Sequence, residues 1–217
     1  NIERLQPYQA NPQYRRARTV ESLGMVYQCH YPTHMLETAR GAKRAPFHER
    51  LAAAGGHFRE VSGWESPDWY AGEGATPDPG PLSWGRPRWF HHWQAEHRAA
   101  RENVVLMDMS FMGRFLVQGR DAGRCLNRIC TNDVDGEAGR ITYTQWLNAH
   151  GLLEGDVTVT KLADDRFLVV VTDTMLRHSE AWLRRHIPAD AHAFVTDVSG
   201  AHAQLNLQGP RAREVLQ

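Results

Sequence analysis

The run Cys130-Thr131-Asn132-Asp133-Val134 closes one apolar segment and opens another, and it sets a carboxylate in a polar turn, where a side chain can be aimed at a ligand rather than at a core. Asp133 is the candidate catalytic residue. A carboxylate within hydrogen-bond reach of a reacting amine can stabilise a cation and shuttle its proton. Free aspartate, with a pKa of about 3.9, is a weak base, so this role needs partial burial to raise it or must be mainly electrostatic. The competing reading is that Asp133 only closes the turn, bonding its own backbone two residues on. Downstream, strand alternation sends Tyr143, Gln145 and Leu147 one way and Thr144, Trp146 and Asn148 the other. A single pocket therefore takes only one set, unless the strand bends near Gln145. Asp156 belongs to the turn chemistry of the following hairpin.

Histidines invite a metal reading as well. His30, His34, His48 and His57 match no common zinc spacing, and Pro32 disfavours one helical turn carrying both His30 and His34, so no metal site is expected. The dinucleotide G-x-G-x-x-G, the Walker loop, G-x-S-x-G and H-E-x-x-H are all missing from these residues.

The elements that must position Asp133 follow from periodicity. Asp121 is read as the cap of a helix over DAGRCLNRIC, with Ala122, Cys125, Leu126 and Ile129 inward. Arg114–Gln118 reads as a strand, RFLVVVT as a buried strand, and the segment from Asp173 to Pro188 as a helix capped by Asp173. FVTDVSG and AHAQLNLQG add two further strands, and Pro210 opens a final helix. Upstream, Phe90, Trp93, His97, Ala100 and Val104 mark an amphipathic helix, and Pro46 starts a short helix ended by Gly55 and Gly56. Residues 1–20 read as a tail or linker, and residues 60–88, rich in proline and glycine, as a packed connector pinned by Trp64, Trp69 and Trp84. A boundary is placed near Trp84 to Pro87. The expected fold class is α+β, a mainly antiparallel sheet with flanking helices, preceded by an irregular Pro/Gly/Trp-rich linker domain.

Composition narrows the partners. Lys plus Arg and Asp plus Glu both number 25 in the 217 residues, so no global field draws nucleic acid or an acidic membrane surface. Three cysteines without a C-x-x-C spacing fit a reducing compartment, and cytoplasm is the expected location. No apolar run reaches the roughly 18 residues that span a bilayer. The chain opens on Asn1 and ends within PRAREVLQ, which reads as a piece of a longer polypeptide.

The segment SFMGRFLVQGRDAGRCLNRICTNDV, followed by GRITYTQWLNAHGLLEGDVTVTKL, resembles the folate-binding domain of the glycine cleavage T-protein, an aminomethyltransferase. Upstream, ETARG, RLAAAGG and GWESPDW are similar to the central linker domain of the flavin-dependent dimethylglycine and sarcosine dehydrogenase family. The resemblance implies residues 1–15 as the tail of a flavin oxidoreductase domain, 16–86 as the central linker domain, and 87–217 as a truncated T-protein-like domain. It implies FAD in a domain outside these residues, oxidation of an N-methylated amino acid to an iminium, and capture of the one-carbon unit on tetrahydrofolate as the methylene derivative. Asp133 matches the family's catalytic aspartate. Met112, Asn132, Tyr143, Gln145 and Asn148 match the neighbourhood of the folate, although Phe111 replaces the usual histidine of Ser-His-Met. The family's pterin-clamping glutamate and folate-tail arginine would fall beyond Gln217. Two alternatives stand beside this reading: a freestanding folate-dependent aminomethyltransferase or demethylase, and a folate-binding module without turnover. The oligomeric state is open.

Overall fold

The computed structural model describes residues 6–217 and divides them into two compact units, Pro7–Phe111 with Ala203–Gln217, and Met112–His202 with Gln6. The first opens with helices α1 (Pro7–Ala10) and α2 (Pro12–Gly24), where the sequence reading expected a tail. A local cause overrides that expectation. The Asn11 side chain accepts the amides of Gln13 and Tyr14 at 2.9 and 3.2 Å, and Pro12 presets the helical φ at the first position. Residues 1–5 of that stretch lie outside the described residues.

Strand β1 (Lys43–Arg44) precedes helix α3 (His48–Ala53), which ends where expected at Gly55, a residue with φ +82°. Strands β2 (Gly56–Val61) and β3 (Trp64–Tyr70) then form an antiparallel hairpin, with β1 parallel to β3. The hairpin adds regular structure to the stretch 60–88, which the sequence reading took only as a packed connector. Ser62 and Gly63, with φ of +52° and +82°, supply a two-residue turn whose twist suits the flanking strands, and the register shifts between His57 and Phe58, beside the pairing with Pro67. Helix α4 (Phe90–Glu102) follows, and the Trp93 indole donates to the Asp68 carbonyl at 2.7 Å. Strand β4 (Val105–Asp108) completes this run.

The second unit holds β5 (Gly113–Gln118), α5 (Ala122–Ile129), β6 (Ile141–Leu147), β7 (Leu153–Ala163), β8 (Arg166–Val171), α6 (Leu176–His186) and β9 (Phe194–Asp197). Its five strands run in the order β6-β7-β8-β5-β9, every neighbouring pair antiparallel. The chain then returns to the first unit as β10 (Leu205–Gln208), antiparallel to β4, and α7 (Ala212–Leu216). The fold is α+β with mainly antiparallel sheets, as the pattern of elements indicated. No described helix is long and apolar enough to cross a membrane.

One core organises the second unit. Ala122, Cys125, Leu126 and Ile129 of α5 pack with Phe115, Val117, Val159, Phe167 and Val169 of the sheet, because i, i+3, i+4, i+7 spacing places them on one helical stripe. Two expected caps are replaced. Asp121 makes no bond to the first amides of α5; its carboxylate instead accepts the His192 amide at 2.7 Å. Asp173, itself buried, lies earlier, in a 3-10 turn (Asp173–Met175), and accepts the Thr172 hydroxyl at 3.2 Å, while Met175 holds the N-terminal position of α6.

Trp146 is fully buried, and a Cβ placed on Gly155 would meet its ring carbon at 2.7 Å. Glycine at this position is a packing requirement of the hairpin. Gly155→Ala is expected to destabilise the unit by about 1–3 kcal/mol, the usual cost of overpacking, as read from the urea midpoint. A change under about 0.5 kcal/mol would show that Trp146 moves aside freely.

Candidate functional site

The segment between α5 and β6 is held from both sides. From the helix, the Asn127 amide nitrogen donates to Asp133 Oδ1 at 2.7 Å while its carbonyl oxygen accepts the Val134 amide at 2.8 Å. From the strand, the Thr144 hydroxyl accepts the Asn132 amide at 3.1 Å, and Asn132 Nδ2 donates to the Tyr143 carbonyl at 2.8 Å. The Thr131 amide adds a bond to the Gln145 carbonyl at 3.0 Å. Val134 is buried in the core, so the polar residues around it are turned outward.

Asp133 is exposed, and Oδ1 also accepts the Asp135 amide at 2.9 Å, the two-residue turn bond considered from the sequence. Turn closure and ligand contact are compatible here. Both bonds fall on Oδ1, and no donor among the described residues reaches Oδ2. The Asp135 amide, then Asn127, with more distant help from Arg140 and Lys161, holds the Asp133 carboxyl below its ordinary range. The group is therefore a persistent anion rather than a base raised by burial.

Strand β6 alternates as its sequence suggests. Thr142, Thr144 and Trp146 are buried, whereas Tyr143 and Leu147 are exposed and Gln145 is half-buried. Gln145 Nε2 donates to Asp156 Oδ1 at 3.3 Å. The Tyr143 hydroxyl bonds the Asp156 carboxylate as well, which raises the phenol above its usual range. Tyr143, Gln145 and Asp156 thus share the outward face of the β6–β7 hairpin, next to the Asp133 turn through the Asn132 bond.

Asn148 stands apart from that group. The register shifts between Trp146 and Leu147, and Asn148 organises the hairpin end: Oδ1 accepts the amides of His150 and Leu152 at 2.9 and 3.1 Å, and Nδ2 donates to Glu154 at 2.9 Å. Met112 is half-buried just ahead of β5. Asn127 was not singled out from the sequence. Its only local signal is an outward-facing amide side chain in the last turn of a helix, six residues before Asp133, and such residues are common.

Behind the turn, Lys161 is buried and pairs with Asp135 at 2.9 Å and Asp164 at 3.2 Å. Cys130 accepts the Trp146 indole N–H at 3.3 Å, and burial pushes its thiol up to about 11. Cys130 is therefore expected to resist iodoacetamide at pH 8 while exposed Cys29 is alkylated, as mapped by peptide mass spectrometry. Equal labelling of the two would show that the Cys130 pocket opens readily.

The antiparallel sheet sets an α+β class of fold, and comparison with known proteins gives the family. Residues 47–217 match the GCVT N-terminal domain, and the chain belongs to that family. Residues 1–45 match the FAD dependent oxidoreductase central domain.

The chain is 40% identical over 216 residues to 4-methylaminobutanoate oxidase (formaldehyde-forming) of Paenarthrobacter nicotinovorans, covering 100% of this chain and 26% of the relative. It is 28% identical over 224 residues to the mitochondrial pyruvate dehydrogenase phosphatase regulatory subunit of Mus musculus, covering 100% of this chain and 25% of that protein. An aminomethyltransferase of Anoxybacillus flavithermus is 39% identical over 135 residues, covering 62% of this chain and 36% of the relative. Among solved structures, the glycine cleavage system aminomethyltransferase T from Bartonella henselae superposes with a TM-score of 0.66 at 25% identity, covering 81% of this chain and 43% of that one. The chain thus spans less than half the length of each of these relatives.

Proposed function

We propose that this chain is the linker and first folate-binding subdomain of a flavin-dependent N-methyl amino acid oxidase or dehydrogenase. In this reading its T-protein-like domain binds tetrahydrofolate and captures the one-carbon unit as methylenetetrahydrofolate. The observation that carries it is the succession of two families on one chain, FAD dependent oxidoreductase central domain then GCVT N-terminal domain, together with the alignment of the whole chain to part of 4-methylaminobutanoate oxidase (formaldehyde-forming). Residues 1–45 then correspond to the central linker of such enzymes and 47–217 to the folate-binding domain.

The residues on the outward face fit a folate better than a flavin. Tyr143 offers an aromatic ring that is 60% exposed, with amide groups of Asn132 and Gln145 and an anionic carboxylate nearby. A dinucleotide-binding loop is missing from these residues, so FAD belongs to another domain of the whole enzyme. Bound tetrahydrofolate would supply the nitrogen that takes up the one-carbon unit. The chain's own contribution is electrostatic. Asp133 Oδ2 presents a fixed negative charge to a cationic amine, and the clamps on Thr131, Asn132 and Asp133 hold that charge in place before any ligand arrives.

The test uses the full-length protein with an N-methylated amino acid such as 4-methylaminobutanoate, dimethylglycine or sarcosine. With tetrahydrofolate present, methylenetetrahydrofolate should accumulate in step with substrate oxidation; without it, free formaldehyde should appear instead. Oxidation accompanied by formaldehyde at the same yield with and without tetrahydrofolate would overturn the capture role. The likeness to a phosphatase regulatory subunit favours a second reading, a folate-binding module without turnover. That reading expects folate binding by calorimetry and no effect of Asp133→Ala in any assay of the intact protein.

A further inference from the structure

Asn127 faces solvent in the last turn of α5 and is not itself placed to touch a ligand by any of its bonds. Both ends of its amide are engaged nonetheless. The nitrogen donates to Asp133 Oδ1 at 2.7 Å and the oxygen accepts the Val134 amide at 2.8 Å, so one side chain spans the carboxylate and the backbone just after it. The helix beneath is anchored in the core by Ala122, Cys125, Leu126 and Ile129. A rigid element thereby fixes the rotamer of an otherwise exposed aspartate.

The turn bond from the Asp135 amide does not achieve this alone, since it leaves the carboxylate free to swing about its own Asx ring. Two donors converging on Oδ1 from different elements define the plane of the carboxylate and leave Oδ2 without a donor among the described residues. We propose that Asn127 is a positioning residue for one-carbon capture, orienting Asp133 so that its second oxygen meets the cationic amine. The inference rests on the reading of Asp133 given under Proposed function. It adds that the charge is aimed from α5 and not by the turn itself.

Two substitutions separate aiming from simple support. Asn127→Ala removes both bonds. Asn127→Asp keeps an acceptor for the Val134 amide, removes the donor to Asp133 and places a like charge beside it. In the full-length protein, the yield of methylenetetrahydrofolate per substrate oxidised is expected to fall about tenfold in Asn127→Ala, the scale of one hydrogen bond to a charged group. Asn127→Asp should fall at least as far. The acid limb of that yield should also move to higher pH in both variants, further in Asn127→Asp, because Asp133 loses a donor that favours its ionised form. Substrate oxidation should stay at the parent rate, and the thermal unfolding midpoint should fall by no more than a few degrees, the scale of the two lost bonds.

If Asn127 only supported the backbone, Asn127→Asp, which keeps the acceptor for the Val134 amide, would capture like the parent at neutral pH, and the inference would be wrong. Asp133→Asn run alongside separates the two levels. Loss of capture in Asp133→Asn with intact capture in both Asn127 variants rejects the positioning role alone. Intact capture in Asp133→Asn rejects the positioning role together with the reading beneath it.

Discussion

Replacing Asp133 by asparagine in the full-length protein is expected to lower one-carbon capture by about 10²–10³-fold, the scale of removing one preorganised electrostatic partner from a transition state. The substitution is close to isosteric. An asparagine Oδ1 can still accept the Asp135 amide and the Asn127 donor, so the turn should survive and only the charge be lost. Oxidation of the N-methylated substrate should continue at the parent rate, with formaldehyde released in place of methylenetetrahydrofolate. Unchanged coupling would remove Asp133 from the mechanism.

The pH dependence carries a definite sign. Asp133 has a depressed pKa, held down first by the Asp135 amide and then by Asn127. Its ionised form therefore persists through neutral and mildly acidic pH, and capture per oxidised substrate should be flat there. It should fall only as pH drops through the depressed folded value, below the ordinary carboxylate value of about 3.9. A limb near pH 6 to 7 would point to a raised carboxyl acting as a base, and would contradict the hydrogen-bond pattern of the turn.

The largest effect on stability is expected at Arg40. Its guanidinium grips the buried Glu65 carboxylate with Nε at 2.9 Å and Nη2 on the other oxygen, and the Gly41 amide adds a bond at 2.6 Å. Arg40 Nη2 also reaches the Phe58 carbonyl at 2.9 Å, so this one side chain joins the segment before β1 to both strands of the β2–β3 hairpin. Arg40→Ala leaves a buried anion with one amide donor. The expected cost is about 3–5 kcal/mol, as for other buried ion pairs stripped of one partner.

Burial by itself would raise the Glu65 carboxyl, but the Arg40 hydrogen bonds and the Gly41 amide outweigh it and hold it low. A depressed carboxylate contributes stability above its unfolded pKa and loses it as pH falls through the folded value. In Arg40→Ala the sign reverses, since an unpaired buried carboxyl is raised and its penalty fades on protonation. The gap between parent and variant should therefore be wide at pH 7 and clearly narrower at pH 4, as read from urea midpoints. A gap of the same width at both values would show that lost packing, not charge, is the cause.

Legibility in the sequence tracked how local the controlling physics is. The stripe Ala122, Cys125, Leu126 and Ile129 gave away α5, and alternation along β6 correctly separated exposed Tyr143 from buried Thr144 and Trp146. Gly55 marked the end of α3 because a positive φ at a helix end favours glycine. Errors arose where composition stood in for structure. Asn11 and Pro12 open a helix inside a polar stretch, and a Ser-Gly turn closes a hairpin within a proline-rich one. Asp121 and Asp173 had the residue type of a cap but were engaged elsewhere, Asp121 by the amide of His192, far along the chain.

By itself, then, the order of residues determined the class of fold, the turn that carries Asp133 and the division of β6 into two faces, since each depends on neighbours a few positions apart. Only the tertiary structure decided which oxygen of Asp133 is left open, that its charge is held down rather than raised, and that Asn148 serves the hairpin end while Asn127 serves the turn. These are outcomes of hydrogen bonds whose partners come from different elements. A side chain's chemistry there is set by which donor the fold brings within about 3 Å, and residue type and local spacing carry no record of that distance.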